Sequence, residues 1–284
     1  MPHNVILLVF FSFFIPCFAD INYETHKITI AKESFNVYVF SPSVKKDFKT
    51  LVFLPSYTYP LSLPDDFSDL INELRDEFQI VVIEYYGYGA SEDTQRQRTS
   101  KNICYEIHSA LKKLDVKSYI LVPHSISGLY ALNYINSYPK EVEAIIGIDM
   151  TLPCYNLEAF ASNGEYKKYP FRDISKVTKA FANMHKYFWL TSKELENFSL
   201  PEKLPALFFL SSELEEYMDS EIKAGVYKTT PLAYLQSICN GDNQRIIQME
   251  GTHYLYRTRH EDMAKEIKDF TKKIAKNKKS RIIL

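Results

Sequence analysis

Apolar residues along this chain fall into short solid runs separated by stretches with helical spacing. Thr50–Leu54, Ile80–Ile83, Tyr119–Val122, Val142–Ile148 and Ala206–Leu210 are such runs. Each is the length of a strand and lacks polar alternation, which predicts strands buried on both faces. Between and after them, Phe67, Leu70, Ile71, Leu74 and Phe78 repeat at helical intervals, as do Ile103, Ile107, Leu111 and Leu114. A weaker run, Arg245–Met249, predicts a last strand, and Met263, Ile267, Phe270 and Ile274 predict a last helix. Strands alternating with helices of this length build a doubly wound, mostly parallel α/β sheet. Right-handed crossovers then leave little topological freedom.

The alternation breaks between Thr151 and Lys203. There Ile174, Val177, Phe181, Met184 and Phe188 predict one helix, and Thr191 with Glu194 offers a capping box for another. The plan is therefore a core formed by residues 20–150 and 204–284, with a small helical cap, 151–203, inserted before the last two strands. Residues 1–19 stand apart from both.

Candidate chemistry sits where the Tyr119–Val122 run ends. Pro123-His124-Ser125-Ile126-Ser127-Gly128 places a serine between a buried strand and the apolar pattern of Leu129 and Leu132. Compact residues stand two positions to either side of Ser125, as a tight strand-to-helix turn demands. The unpaired N–H groups of the following helix would lie beside the serine oxygen. That is the layout of a nucleophile elbow. A hydroxyl is a weak nucleophile near neutral pH and needs a base with a third group orienting it. His253 follows the last strand pattern and a Gly251-Thr252 turn, and is the candidate base. The remaining histidines fit other roles. His124 packs, and His26, His108, His185 and His260 sit singly, without metal-ligand spacing. Gly87-Tyr88-Gly89 lacks a third glycine and opens no immediate helix, so it reads as a turn rather than a nucleotide site.

In this order the chain resembles an α/β-hydrolase. The resemblance is carried by Leu54-Pro55-Ser56-Tyr57, Tyr86-Gly87-Tyr88-Gly89-Ala90-Ser91, the elbow at Ser125, Ile148-Asp149, Leu207–Leu210 and Gly251-Thr252-His253, and covers about Ile28 to Phe270. It departs from the family's habit at Pro55-Ser56 and at the elbow glycines. The resemblance implies a serine hydrolase that cleaves a carboxylic ester through an acyl-enzyme, with Ser125 as nucleophile and His253 as base. The acid is expected to be Glu213, with Asp149 and then Glu215 as alternatives. The backbone N–H groups of Ile126 and Tyr57, or of Ser56 in place of Tyr57, would form the oxyanion hole. Two other readings stand beside it. An aminopeptidase-type amide hydrolase would use cap carboxylates such as Glu158 or Glu165 to hold an amine. A ligand-binding protein would keep the fold without turnover.

Composition narrows the partners. With 284 residues, 46% hydrophobic, the chain has material for one large core. A net charge of −1 argues against nucleic acid. Tyr155, Phe160, Phe188 and Trp189 in the cap suggest a small-molecule substrate with a hydrophobic part. Neither cofactor nor metal is expected, and a monomer is. Val5–Phe18 suits the apolar region of a signal peptide cleaved after Ala19, although Met1–Asn4 lacks the usual positive charge. Export is thus expected, with an uncleaved membrane anchor as the alternative. Cys104, Cys154 and Cys239 then leave room for one disulfide, Cys154–Cys239.

Overall fold

The computed structural model describes residues 23–42, 48–56, 65–154, 156, 177–213 and 222–282, without the side chains of His185 and 277–282. The 1–19 segment, Tyr57, Tyr155, Glu158, Phe160, Glu165, Ile174 and Glu215 lie outside these residues. Strands β1 (Glu24–Ile30), β2 (Glu33–Phe40), β3 (Lys49–Leu54), β4 (Phe78–Ile83), β5 (Tyr119–Pro123), β6 (Val142–Ile148), β7 (Ala206–Ser211) and β8 (Gln244–Met249) form one sheet in the order β1-β2-β4-β3-β5-β6-β7-β8. Strands β1 and β2 pair antiparallel, and β2 joins β4 antiparallel. All later pairings are parallel.

The solid apolar runs are explained by helices on both faces. In β3, Val52 and Leu54 face one buried cluster while Leu51 and Phe53 face the other. The same alternation places Val81 and Ile83 of β4 opposite Ile80 and Val82. Helices α1 (Ser68–Leu74), α6 (Leu255–Thr258) and α7 (His260–Ile282) cover one side through Leu70, Ile71, Met263, Ile267 and Phe270. Helices α2 (Ser100–Lys113), α3 (Ser127–Ser137), α4 (Lys179–Glu194) and α5 (Pro231–Ile238) cover the other.

Three local expectations are corrected. Phe78 opens β4 instead of closing α1, because the helix stops at Leu74 and the strand register begins with Lys49 opposite Phe78. Thr191 and Glu194 begin no second cap helix. Both lie inside α4, where the Thr191 hydroxyl donates back to the Tyr187 carbonyl at 3.0 Å and Glu194 accepts from Ser100. The start of α4 is set instead by Thr178, whose side chain accepts from Phe181 N–H, and by the Asp93 carboxylate, which takes the N–H groups of Lys179 and Ala180. Ala180, Phe181 and Met184 join the main core, so α4 is packed into the molecule rather than perched on it. Finally, Cys104, Cys154 and Cys239 are free thiols, and Cys154 and Cys239 are not bridged.

Candidate active site

Strand β5 runs into α3 through three residues, His124, Ser125 and Ile126, and Ser125 in their middle has φ +53. A left-handed conformation at a non-glycine residue is strained and is concentrated at functional turns. The turn is tied on every side. His124 N–H donates to Leu54 C=O at 3.0 Å, Ser125 N–H to Ile148 C=O at 3.3 Å, and the Ser125 carbonyl accepts from Gly128 at 2.8 Å and Thr151 at 2.7 Å. The glycine that the elbow requires has moved by one residue. A Cβ on Gly128 would sit 2.6 Å from both the Met150 Cβ and the Thr151 carbonyl oxygen. Position 127 has room for a side chain, and Ser127 fills it.

Of the carboxylates named from the sequence, the structure brings Asp149 to the imidazole. His253 Nδ1 lies 2.7 Å from Asp149 Oδ2. Asp149 directly follows β6 with φ +39, and its side chain is fully buried. Ser211 at the end of β7 holds it from behind, donating its N–H to Oδ1 at 3.0 Å and its hydroxyl to Oδ2 at 2.8 Å. The carboxylate therefore has three donors converging on it, and one of them is the imidazole. Glu213, placed first from the sequence, does something else. Its Oε2 accepts the backbone N–H of His253 at 3.2 Å. Side-chain direction separates the two: the Asp149 carboxylate meets the ring, and the Glu213 carboxylate meets the backbone of the same residue.

That loop is fixed by further contacts. Ser212 Oγ accepts from Gly251 N–H at 3.3 Å, and Gly251 has φ +148. His124 Nε2 donates to the His253 carbonyl at 2.9 Å, since a carbonyl can only accept. The two rings lie 4.7 Å apart between centroids. His124 is fully buried, and its Nδ1 has no partner among the described residues. Burial, and then the neighbouring His253, push its pKa well below the ordinary imidazole range. The sequence reading of His124 as mere packing missed this link, for which no local signal exists.

Ser125 and His253 are both partly exposed. No hydrogen bond joins the Ser125 hydroxyl to His253, and among the described residues neither that hydroxyl nor His253 Nε2 is committed elsewhere. The Ile126 N–H, one residue into the turn, likewise makes no hydrogen bond to a described residue. An uncommitted hydroxyl, imidazole nitrogen and amide around one turn can together take a nucleophile's proton and hold a negative oxygen. Tyr57 lies outside the described residues. Groups of three or more His, Cys, Asp or Glu able to hold a metal are absent among the described residues.

No family model matches the chain. Among curated proteins, the uncharacterized protein YbdG of Bacillus subtilis is 40% identical over 85 residues, 30% of this chain and 26% of that protein. A protein of Cronobacter turicensis described as "Putative carbamate hydrolase RutD" is 32% identical over 79 residues, 28% of this chain and 30% of its own. The matched stretches thus span less than a third of either relative. Solved structures match far more of the chain. A haloalkane dehalogenase loop variant from Bradyrhizobium elkanii superposes with TM-score 0.65 at 13% identity, over 92% of this chain and all of that one. Bromoperoxidase from Bacillus anthracis gives 0.61 at 14%, over 88% and 100%. A bacterial membrane phospholipase A gives 0.61 at 12%, over 89% and 87%. At such identities the likeness is one of fold.

Proposed function

Because the chain is an α/β-hydrolase-fold protein, we propose that it is a serine hydrolase that cleaves a carboxylic ester through an acyl-enzyme. The fold alone does not choose this, since neighbours of similar TM-score are named as a haloalkane dehalogenase, a bromoperoxidase and a phospholipase A. The observation that carries the reading is the 2.7 Å pair between the buried Asp149 and His253, beside a serine held at φ +53. In the proposed cycle His253 Nε2 takes the Ser125 proton as the oxygen attacks the carbonyl carbon. Asp149 holds the Nδ1 proton and steadies the imidazolium that forms. The oxyanion is held by Ile126 N–H and by an amide of the segment after β3. Collapse expels the alcohol with the proton returned from His253. Water then repeats the steps on the acyl-enzyme and frees Ser125.

The lack of a hydrogen bond between hydroxyl and imidazole fits a free enzyme, in which catalytic hydrogen bonds are often long or poorly aligned and tighten with substrate. A second reading, hydrolysis of a carbamate or related amide, is favoured by the match to the RutD relative. The test is labelling by a fluorophosphonate probe, followed by turnover of a p-nitrophenyl ester and of its carbamate counterpart. Ser125 should be the labelled residue, and the ester should turn over faster. A folded wild-type chain that resists the probe sinks the serine-hydrolase reading. Faster carbamate turnover would replace the ester.

A further inference from the structure

The serine that stands where the elbow's glycine is expected has a partner on each side. Ser127 is fully buried, and its hydroxyl donates to the carbonyl of Pro55, the first residue after β3. The Tyr85 hydroxyl lies 2.9 Å from the same Ser127 oxygen. Each hydroxyl has one hydrogen, and that of Ser127 is spent on Pro55, so Tyr85 must be the donor to Ser127. The direction of the relay is thereby fixed, from Tyr85 through Ser127 to Pro55. Its origin is rigid. The Tyr85 ring is buried and meets Tyr88 and Tyr130 edge-on, at 5.8 and 6.0 Å between centroids. Burial keeps its hydroxyl protonated by pushing its pKa well above the usual phenol value. Beside it, Tyr88 donates to the next carbonyl, that of Ser56, at 3.1 Å.

These bonds act on the segment that the acyl-transfer reading needs. A trans peptide is planar, with its C=O and N–H pointing opposite ways. Holding the Pro55 carbonyl against the elbow therefore fixes the direction of the Ser56 N–H. We propose that Tyr85 and Ser127 are positioning residues. By this inference they lock the backbone after β3 to the nucleophile turn, so that the oxyanion donors on the two segments keep a fixed separation. The inference rests on the reading of Ser125 as the nucleophile. It explains why a hydroxyl replaces a glycine here, where the close approach has passed to Gly128. Oxyanion stabilisation depends on donors held about 2.7–3.1 Å from the position of the developing charge. Loss of the relay should therefore fall on the transition state rather than on substrate binding.

The experiment compares Ser127→Ala, Ser127→Gly and Tyr85→Phe with wild type, using fluorophosphonate labelling rate, kcat and KM on a p-nitrophenyl ester, and the inhibition constant of an arylboronic acid. Both Ser127 variants should lose about 10- to 100-fold in kcat and labelling rate, less than removal of a whole oxyanion donor. KM should stay within about threefold while the boronate weakens in step with kcat/KM. Tyr85→Phe keeps the Ser127 bond and the ring, so it should lose about 3- to 10-fold and remain folded. Variants that melt lower but react at the wild-type rate would show a purely structural relay and overturn the inference. Should the Ser127 variants fail to fold, Tyr85→Phe decides alone by the same kcat and boronate readings. Failure of the hydrolase reading is seen separately, in the wild-type chain, as absence of labelling. That result overturns the inference as well.

Discussion

Two sealed carboxylates in this molecule, each with a nitrogen partner, have almost opposite characters. Arg98 and Glu106 are both sealed, with side chains 0% and 2% exposed, and one guanidinium nitrogen reaches both carboxylate oxygens at 2.8 and 2.7 Å. Among the described residues Arg98 Nε and Nη2 have no partner, and the guanidinium lies over the Tyr86 ring. Burial pushes the Glu106 carboxyl up, against the pull of Arg98. The other pair joins a sealed Asp149 to a His253 that is 35% exposed. Its carboxylate is also bonded to Ser211, while the imidazole keeps one nitrogen uncommitted. A buried carboxyl group is common to both. What marks the second as a candidate site is one end left open beside a strained serine. The first joins the segment ahead of α2 to the helix itself, and nothing about it reaches solvent.

The sharpest way to break this contrast is to remove the open pair's function and leave its fold. Ser125→Ala should lower kcat on an ester by about 10³-fold or more, with melting temperature unchanged. Asp149→Asn should lower it by about 10³- to 10⁴-fold, because the imidazole loses the group that fixes its tautomer. Glu213→Gln should cost less than about tenfold, since that carboxylate grips only the His253 backbone. If Glu213→Gln were the more damaging of the two carboxylate changes, the assignment of Asp149 would fall.

The sealed pair should answer in stability alone. Arg98→Met leaves Glu106 buried without its cation and should cost about 3–5 kcal/mol in denaturant unfolding. Turnover per folded molecule should hold within about twofold. Replacing both, as Arg98→Met with Glu106→Leu, should restore most of that loss, because an apolar pair needs no desolvation. A loss of kcat in folded Arg98→Met would instead tie this pair to the reaction. Smaller again is Gly128→Ala, where a methyl meets the Thr151 carbonyl and Met150. It should destabilise by about 1–3 kcal/mol, as overpacking of a rigid contact does.

The same contrast marks what the sequence could disclose. Strands β3 to β7 are legible as solid apolar runs because both faces are covered, and the turn at Ser125 is legible because its steric needs are local. Around His26 the pattern reads as a strand, but its pairing with β2 was not legible, because His26, Lys27, Glu33 and Asn36 break the apolar pattern at an edge of the sheet. Helix α5 escaped although Thr230-Pro231 is a start signal, with the Thr230 side chain accepting from Ala233 N–H. The partner of His253 was legible only as a choice among Glu213, Asp149 and Glu215, with Glu213 placed first. Glu213 lies near His253 through β7, as Asp149 does through β6, and only side-chain direction separates them. The Arg98–Glu106 pair gave no sign either, since eight residues of sequence separation across a helix start looks like any solvated pair.

A last measurement asks whether the link between the serine turn and the His253 loop is felt outside catalysis. His124 donates from Nε2 to the His253 carbonyl, so its only basic atom is the buried Nδ1, which has no partner among the described residues. Its pKa is lowered in the folded chain, first by burial and then by His253. The unfolded chain therefore binds a proton at His124 that the native chain does not, beginning as pH falls through the free imidazole value of about 6.5. Above that value the group contributes nothing to the pH dependence. Below it, native stability should fall by about 1.4 kcal/mol per pH unit from this one group, until the depressed native pKa is reached. His124→Gln keeps a donor at the ε position and removes the basic nitrogen. Its stability measured from pH 7 to pH 5 should decline less steeply than wild type, by one proton's worth of slope. An unchanged slope would mean that His124 is protonated in the native state, and that the buried Nδ1 has an acceptor facing it.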